Sequence, residues 1–311
     1  MPSTFPAAAP TLSGDALTIS RFLQSPAAIS RRLRTFRDLR FVSDQLLTQR
    51  WRSSGGAVLY DTSEPFLTNR TVEAVGAGSE YPYADVDTGT AGIAAIVKWG
   101  QKTMLTDEEI ARSSFAGSVI DRKLRKVVNS VIKQVDTIAM SAIGSAITAT
   151  AGTAGAWDHA TPATRAPLTD ILLAIQAIED LNQGYRPDTL VVSPKAYTYL
   201  MLNEAIANLR QRETTTNPVY TGEIETVAGL TIIKTPNLPV ATTAIVLDST
   251  QLGGMADETD GAPGYAVSDL AVQVKSIRKE GQDAWDLQGR RKTVPVVQEP
   301  GAGYEITGVV S

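Results

Sequence analysis

Apolar residues recur at helical spacing in two parts of the chain. In the first, from about Ser30 to about Arg50, apolar side chains at steps close to three and four are interleaved with arginines. The second runs from Ile110 to Ile143, after Thr106. With about forty residues at about 1.5 Å each it predicts a rod of about 60 Å, longer than a compact domain of this size covers. The pattern predicts two amphipathic helices, the second a strut.

The start of the second helix carries a local signal. Thr106 and Glu109 have the spacing of a capping box, and Asp107 and Glu108 place negative charge at the positive end of the helix dipole. Capping accounts for all three acids, so we favour it over a metal or acid/base cluster. Gly117 is a candidate irregularity in the rod.

The stretch between the two helices is typical of strands and turns. Its β-prone runs are Ala57 to Tyr60, Thr71 to Val75 and Ile93 to Trp99. Its charges are mostly acidic: Asp61, Glu64, Glu73, Glu80, Asp85 and Asp87 against Arg70 and Lys98. A long two-stranded excursion has little core of its own and is marginal in water. We therefore expect it to lie on a neighbour.

The second half of the chain predicts an α/β region followed by antiparallel strands. A small-residue loop from Ala149 to Pro167 is the expected domain boundary. The predicted elements after it are a helix from about Leu168 to Leu181, a strand Thr189 to Val192, a helix from Pro194, and strands Leu230 to Lys234 and Ala244 to Leu247. The stretch "MADETDG" reads as a solvated turn. Apolar alternation through Leu270, Val272, Val274 and Ile277, and again through Val294, Val296, Tyr304, Ile306 and Val309, predicts strands that pack on the long helix.

The amino-acid composition excludes most of the common kinds of catalytic site. The 311 residues include no cysteine and one histidine, and the net charge is -4. His159 lies in the small-residue loop, where a surface or interface role is favoured over a triad. Ser193 before Pro194 reads as a helix N-cap, because neither a Gly-x-Ser-x-Gly elbow nor a phosphate loop surrounds it. We expect no enzyme activity, no cofactor, no metal and no membrane span.

The N-terminal segment is basic within an acidic chain. Its cations are Arg21, Arg31, Arg32, Arg34, Arg37, Arg40, Arg50 and Arg52, against Asp38 and Asp44. Two interpretations stay open: a solvated face on a packed helix, or an arm that lies on an acidic partner.

The order of these parts resembles a known family. A basic arm, an acidic excursion with "GAGSEYPYAD" and "VKWGQKTMLTDEEI", a very long helix, an insertion with "DTLVVSPKAYTYLM" and "VAGLTIIKTPNLP", and a tail with "WDLQGRRKTVPVVQEPGAGYEITG" are similar to the major capsid protein of tailed bacteriophages. The similarity extends over nearly the whole chain, from about Arg21 to Val310. It implies an α+β fold of the Hong Kong 97 type.

The resemblance implies five segments and a structural role. The segments are an N-terminal arm at 1–54, an extended E-loop β-hairpin at 55–104, a P-domain spine helix at 105–151, an α/β A-domain at 152–264 and P-domain C-terminal strands at 265–311. The implied function is a coat protein that self-assembles through pentamers and hexamers into the icosahedral head around the phage double-stranded DNA. The alternatives are an encapsulin-like cellular nanocompartment shell protein and, more distantly, an enzyme of unknown class.

The implied partners are mainly further copies of the chain. A scaffolding protein, a portal at one vertex and a decoration protein are further candidates, with packaged DNA bound without sequence specificity. The expected location is the virion capsid, assembled in the host bacterial cytoplasm. A long cleavable scaffold extension is not expected, because the arm begins almost at Met1.

Charge complementarity suggests how neighbouring subunits meet. We expect the acidic loop of one subunit to lie across a basic strip on the helix and tail of the next. The candidate contact residues are Glu73, Glu80, Asp85, Asp87, Arg122, Arg125, Lys126, Arg290, Arg291 and Lys292.

A covalent cross-link known in some of these capsids is not expected here. That link joins an E-loop lysine to an asparagine of the neighbouring P-domain, assisted by a glutamate. Lys98 is the only lysine between Gly55 and Gln101 and lies at the base of the loop, and no asparagine follows Asn237. We predict that mature particles run as single chains on a denaturing gel; a ladder of covalent multimers would contradict this.

Overall fold

The computed structural model describes residues 41–86, 88–112, 116–204, 206, 224–258, 264–267 and 271–311, apart from the side chains of 116–118. The helices are α1 (Ser43–Leu46), α2 (Asp107–Arg112), α3 (Ala116–Ala146), α4 (Pro167–Glu179) and α5 (Pro194–Met201). The strands are β1 (Gln49–Arg52), β2 (Ala57–Thr62), β3 (Thr90–Ala95), β4 (Val97–Thr106), β5 (Thr150–Gly152), β6 (Thr189–Val192), β7 (Thr226–Val227), β8 (Leu230–Lys234), β9 (Ala244–Leu247), β10 (Gly253–Asp257), β11 (Ala266–Val267), β12 (Gln273–Lys279), β13 (Ala284–Val297) and β14 (Gly303–Thr307).

The chain divides into two compact units. The first contains the described parts of Trp99–Val131 and Gly261–Arg291, and the second those of Phe41–Lys98, Ile132–Asp260 and Lys292–Ser311. Helix α3 and strand β13 each contribute residues to both units.

The first unit packs strands on the N-terminal half of α3. Strands β11, β12 and β13 are antiparallel neighbours, and β4 also pairs with β13. Leu105, Ile120 and Leu287 are fully buried in one apolar cluster with Trp285. A Cβ at Gly289 would lie 3.0 Å from Val127 Cγ1, so strand β13 passes close to the helix there. The prediction that C-terminal strands pack on the long helix is confirmed for β13.

The predicted capping box is present at the start of α2. The Thr106 N–H donates to Glu109 Oε2 (3.2 Å), and the Glu109 N–H donates to Thr106 Oγ1 (3.3 Å). Arg278 holds Asp107 with two parallel hydrogen bonds of 2.7 and 2.8 Å, which lowers the pKa of that carboxyl. The predicted rod appears as α2 and α3, and Gly117 lies within α3. The residues between the two helices, 113–115, lie outside the described ranges.

The second unit is built around a six-stranded mixed sheet. Its order is β5-β14-β9-β6-β8-β7, with β6 parallel to β8 and antiparallel to β9. All four residues of β6 and of β9 are buried, which explains why both read as continuous apolar runs. Ile171, Ala174 and Ile178 of α4 belong to the core of this unit. The predicted strands β6, β8 and β9 are confirmed at their predicted bounds.

Ser193 is the predicted helix cap. Its Oγ accepts a hydrogen bond from the Ala196 N–H (3.2 Å), and Pro194 occupies the first turn of α5. Helix capping therefore explains why a serine lies at the turn between β6 and α5, without a catalytic role for it.

The helix predicted from about Ser30 to about Arg50 is wrong over its described part. Residues from Phe41 form only the one-turn helix α1 and then strand β1, while residues up to 40 lie outside the description. Strand β1 runs parallel to β10, and a Cβ at Gly254 would overlap the Gln49 carbonyl. Pairing with a distant strand therefore overrides the local apolar spacing.

Buried Asp136 of α3 holds the N-terminal end of residues 41–52. Its carboxylate accepts hydrogen bonds from the Val42 N–H (3.2 Å), the Ser43 N–H (3.0 Å) and Ser43 Oγ (2.8 Å). Burial raises the pKa of Asp136, and these hydrogen bonds oppose the rise. The chain is thus fixed to α3 where the basic N-terminal segment enters the described structure.

Two further expectations about loops and strands are wrong. The stretch "MADETDG" is not a solvated turn at its start, because Met255 and Ala256 are buried in β10 between β1 and β13. Thr71 to Val75 forms no strand. Strand β14 enters the sheet of the second unit, beside β5 and β9.

The small-residue loop before α4 is organised by one buried carboxylate. Asp170 accepts hydrogen bonds from the Ala154 N–H (2.8 Å), Trp157 Nε1 (2.9 Å) and Thr153 Oγ1. Trp157 is fully buried as a result, and residues 150–152 form β5. The loop is therefore an ordered part of the second unit.

Replacing Asp170 tests this arrangement. Asp170→Ala leaves three donors without their acceptor, at about 1–3 kcal/mol for each buried one, so we expect a loss of about 3 kcal/mol or more in the free energy of unfolding. Glu179→Ala, at an exposed position of the same helix, is the control and should change that free energy by less than about 0.5 kcal/mol. Urea titration measures both; equal effects would contradict the assignment.

Candidate functional site

The strands β2 and β3 carry a long loop without regular structure. They pair antiparallel from Ala57↔Ala95 to Thr62↔Thr90, and the described residues between them form neither helix nor strand. We call residues 63–89 the extended loop; Asp87 within it lies outside the description. A turn at its tip is closed by the Ser79 N–H donating to the Gly76 carbonyl (3.0 Å).

The first limb of the extended loop is fixed at its root. The Ser63 N–H donates to the Gln298 carbonyl (2.9 Å), the Glu64 N–H to Glu299 Oε1 (3.3 Å) and the Phe66 N–H to the Gln183 side chain (3.0 Å). Glu299 also accepts a hydrogen bond from the Tyr185 hydroxyl (2.8 Å). Burial raises the pKa of Tyr185, and the contact with Glu299 adds to the rise.

The two limbs are tied together by side chains. Arg70 Nη2 pairs with Glu73 Oε1 (3.0 Å) on its own limb, and Arg70 Nη1 donates to the Tyr83 carbonyl (3.3 Å) on the opposite limb. The Asp85 N–H donates to Asn69 Oδ1 (3.1 Å) across the same gap. The limbs therefore stay together without a strand ladder between them.

Large apolar side chains cover the extended loop, and their exposed fractions range from 59% to 94%. They are Phe66, Leu67, Val72, Tyr81, Tyr83 and Val86. Leu59 and Ile93, which face each other in the β2–β3 ladder, are exposed as well. Large apolar side chains gathered on one exposed loop are typical of an interaction site. Sequence reasoning missed this feature, although "EPFL" and "EYPYADV" carry apolar residues that no periodic pattern places in a core.

The acidic contact candidates lie on this loop. Glu73, Glu80 and Asp85 are all exposed. Glu73 already pairs with Arg70, whereas Glu80 forms no ion pair with any residue that the structure describes. Asp87 lies outside the described residues.

The basic candidates fall into two groups, one on helix α3 and one in the C-terminal tail. Arg122, Arg125 and Lys126 are exposed on α3 and, with Asp121 and Asn129, line a concavity of about 550 Å³.

The three tail cations are engaged within the chain. Arg290 donates to Gln273 Oε1 (2.8 Å) and lies 3.8 Å from the Tyr265 ring centroid. Lys292 pairs with Glu258 (3.5 Å). Arg291 is only 1% exposed, so charge reversal there places a carboxylate in the interior and tests folding as well as assembly.

Sites for chemistry are few in the described structure. His159 is exposed, and its Nδ1 accepts a hydrogen bond from the Thr161 N–H (3.0 Å). Across the described ranges, no group of three or more His, Cys, Asp or Glu side chains is arranged to hold a metal ion. Within the same ranges, no helix is both long and apolar enough to cross a membrane.

Comparison with solved structures identifies the fold. The capsid of cyanophage P-SCSP1u matches with a TM-score of 0.66 at 14% identity, covering 98% of this chain and 94% of that one. The mature capsid of bacteriophage PhiM1 matches at 0.59 and 10% identity, covering 83% and 84%. A virus-like particle from Pyrococcus furiosus matches at 0.57 and 16% identity, covering 86% and 92%. No curated protein sequence gives a significant match.

These similarities confirm the α+β fold of the Hong Kong 97 type expected from the sequence. The sequence model of the family described as "Phage capsid protein" matches residues 90–306, more than half of the chain. The chain belongs to the phage capsid protein family, which points to a structural protein.

The tie between the two limbs can be tested in the subunit. Arg70→Ala removes both the pair with Glu73 and the bond to Tyr83, so we expect faster chymotrypsin cleavage after Phe66 and Tyr83. The free energy of unfolding should change by less than about 0.5 kcal/mol, because these contacts are exposed. Lys98→Ala, an exposed site outside the loop, is the control. Cleavage at the wild-type rate would show that Arg70 does not hold the limbs.

Proposed function

We propose that this chain is the major capsid protein of a tailed bacteriophage and that it assembles through pentamers and hexamers into the icosahedral head around double-stranded DNA. The observation that carries the proposal is the extended loop, which is fixed at its root and exposes apolar side chains along both limbs. Membership of the phage capsid protein family supports the same role.

The loop is the element that joins subunits. Fully burying one large apolar side chain contributes about 1.5–3 kcal/mol, and the loop exposes six of them. Its fixed root lowers the entropy cost of docking, because the first limb is already directed before contact. A loop that lies on the next copy makes a heterologous contact, and such contacts repeat until a ring or shell closes.

The segments take the roles that the resemblance implies. The extended loop acts as the E-loop, the long helix α3 as the P-domain spine, and the β6-containing sheet as the A-domain around the five-fold and six-fold axes. In the charged part of the contact, Glu73, Glu80, Asp85 and Asp87 face basic side chains of the neighbour, with Arg290 and Lys292 among the candidates.

Other partners follow from this role. A separate scaffolding protein directs assembly in the host bacterial cytoplasm, a portal occupies one vertex, and a decoration protein is a further candidate. The mature location is the virion capsid.

One alternative function has its own observation. The likeness to the virus-like particle from Pyrococcus furiosus supports an encapsulin-like cellular shell, which would enclose cargo proteins instead of a genome. The family match favours the phage capsid.

Electron microscopy of the purified protein, alone and with a candidate scaffold, tests assembly directly. We expect icosahedral shells or rings of five or six subunits. Folded monomers under both conditions would contradict the proposal.

Substitution of the loop's apolar side chains tests the mechanism. In a triple variant with Val72→Ser, Tyr81→Ser and Tyr83→Ser, each contact loses about 1.5–3 kcal/mol per side chain, so we expect shells to be lost while the subunit keeps its thermal midpoint. Leu172→Ser with Leu173→Ser, on exposed positions of α4, is the matched control. Sedimentation separates shells from subunits, and wild-type shell yield from the triple variant would refute the loop contact.

A further inference from the structure

One face of α3 gathers exposed cations. Arg122, Arg125, Lys126 and Asn129 follow each other at steps of three, one and three residues, which places them on one side of the helix. The apolar positions Leu124, Val127 and Val128 are buried on the other side. We call these four polar residues the basic helix face; with Asp121 they line the concavity of about 550 Å³.

Two of its cations have no partner in the described part of the chain. Neither Arg122 nor Lys126 forms an ion pair with a described residue, whereas Lys123, their neighbour, pairs with Glu109 and donates to the Met104 carbonyl (2.7 Å). Among the described residues that line the concavity, Asp121 is the one acid. The basic helix face therefore carries a net positive charge in a subunit whose total charge is -4.

The chemistry of this face favours a polyanion over a protein. All five described lining residues are charged or carry an amide, so the described part of this surface offers no large apolar side chain as an anchor. Protein interfaces are centred on buried apolar or aromatic anchors. The extended loop exposes six large apolar side chains, and a surface of this composition cannot bury them. Arginine, lysine and asparagine are, in contrast, the side chains that contact nucleic-acid phosphates, and arginine can bind a phosphate through two parallel bonds.

We propose that the basic helix face contacts phosphates of the packaged double-stranded DNA without reading its sequence. This inference rests on the proposed function, because it requires that the shell enclose a genome. A local basic face is what an acidic subunit needs in order to lie against DNA, since phosphate contacts depend on clustered positive charge.

Salt dependence of DNA binding tests the proposal on the full-length subunit. The probe is a fluorescent duplex of mixed sequence, and anisotropy titrations across a series of KCl concentrations give the slope of log K against log salt. Each phosphate contact contributes about 0.9 to the magnitude of that slope. For the triple variant Arg122→Gln, Arg125→Gln and Lys126→Gln we expect the magnitude to fall by about 2.7.

A second triple variant controls for net charge. Arg52→Gln, Lys98→Gln and Arg112→Gln remove the same formal charge from exposed positions elsewhere. We expect this control to keep the wild-type slope. Equal losses of slope in the two variants, or no loss in either, would overturn the proposal.

A measurement of shell assembly by the Arg122, Arg125 and Lys126 variant separates this inference from the proposed function. If the basic helix face contacts DNA, the Arg122, Arg125 and Lys126 variant forms shells at wild-type yield while its slope falls. Loss of shells with an unchanged slope would overturn the DNA contact and assign this face to the neighbouring subunit. Failure of the wild-type protein to form shells or rings would instead count against the proposed function.

Discussion

Burial of the extended loop's apolar side chains is the constraint on which the rest of the structure depends. Val72, Tyr81 and Tyr83 are exposed by 80% or more, and no described part of their own chain covers them. At the same time, Gln183, Gln298 and Glu299 fix the root of the loop, so its first limb cannot fold back freely. Exposed apolar surface of this extent marks an interaction site, and in the proposed assembly another copy covers the loop. In that proposal, the fixed root and the uncovered limbs favour association over a stable monomer.

The charged residues of the chain fall into those that stabilise the subunit and those that face outward. Arg278 with Asp107, Lys292 with Glu258, and Lys102 with Asp286 are paired within their units. Arg122 and Lys126, in contrast, are exposed and form no ion pair with described residues. Exposed ion pairs contribute little to folding, so leaving these cations unpaired costs the subunit little stability. They stay available for a ligand of opposite charge.

Local signals predicted the parts of the fold that are decided within a few residues. The capping box at Thr106 and Glu109 and the Ser193 cap involve groups three residues apart, and both are present. Strands β6 and β9 were recognisable because they are buried on both faces. The predictions failed where distant partners decide the outcome. Residues 49–52 pair with β10 about two hundred positions later and so form a strand in place of the expected helix.

The sequence by itself determined the long helix, the helices and strands of the α/β region, the absence of cysteine chemistry and the acidic charge of the excursion, because composition and periodicity are properties of the chain alone. Only the tertiary structure decided which candidate contacts are accessible. It buried Arg291, stacked Arg290 on Tyr265 and left Arg122 exposed, although these arginines look alike in the sequence. It also showed that the loop's exposed surface is apolar as well as acidic. Exposure depends on which segments pack against a side chain, and residues far away in the sequence supply those segments.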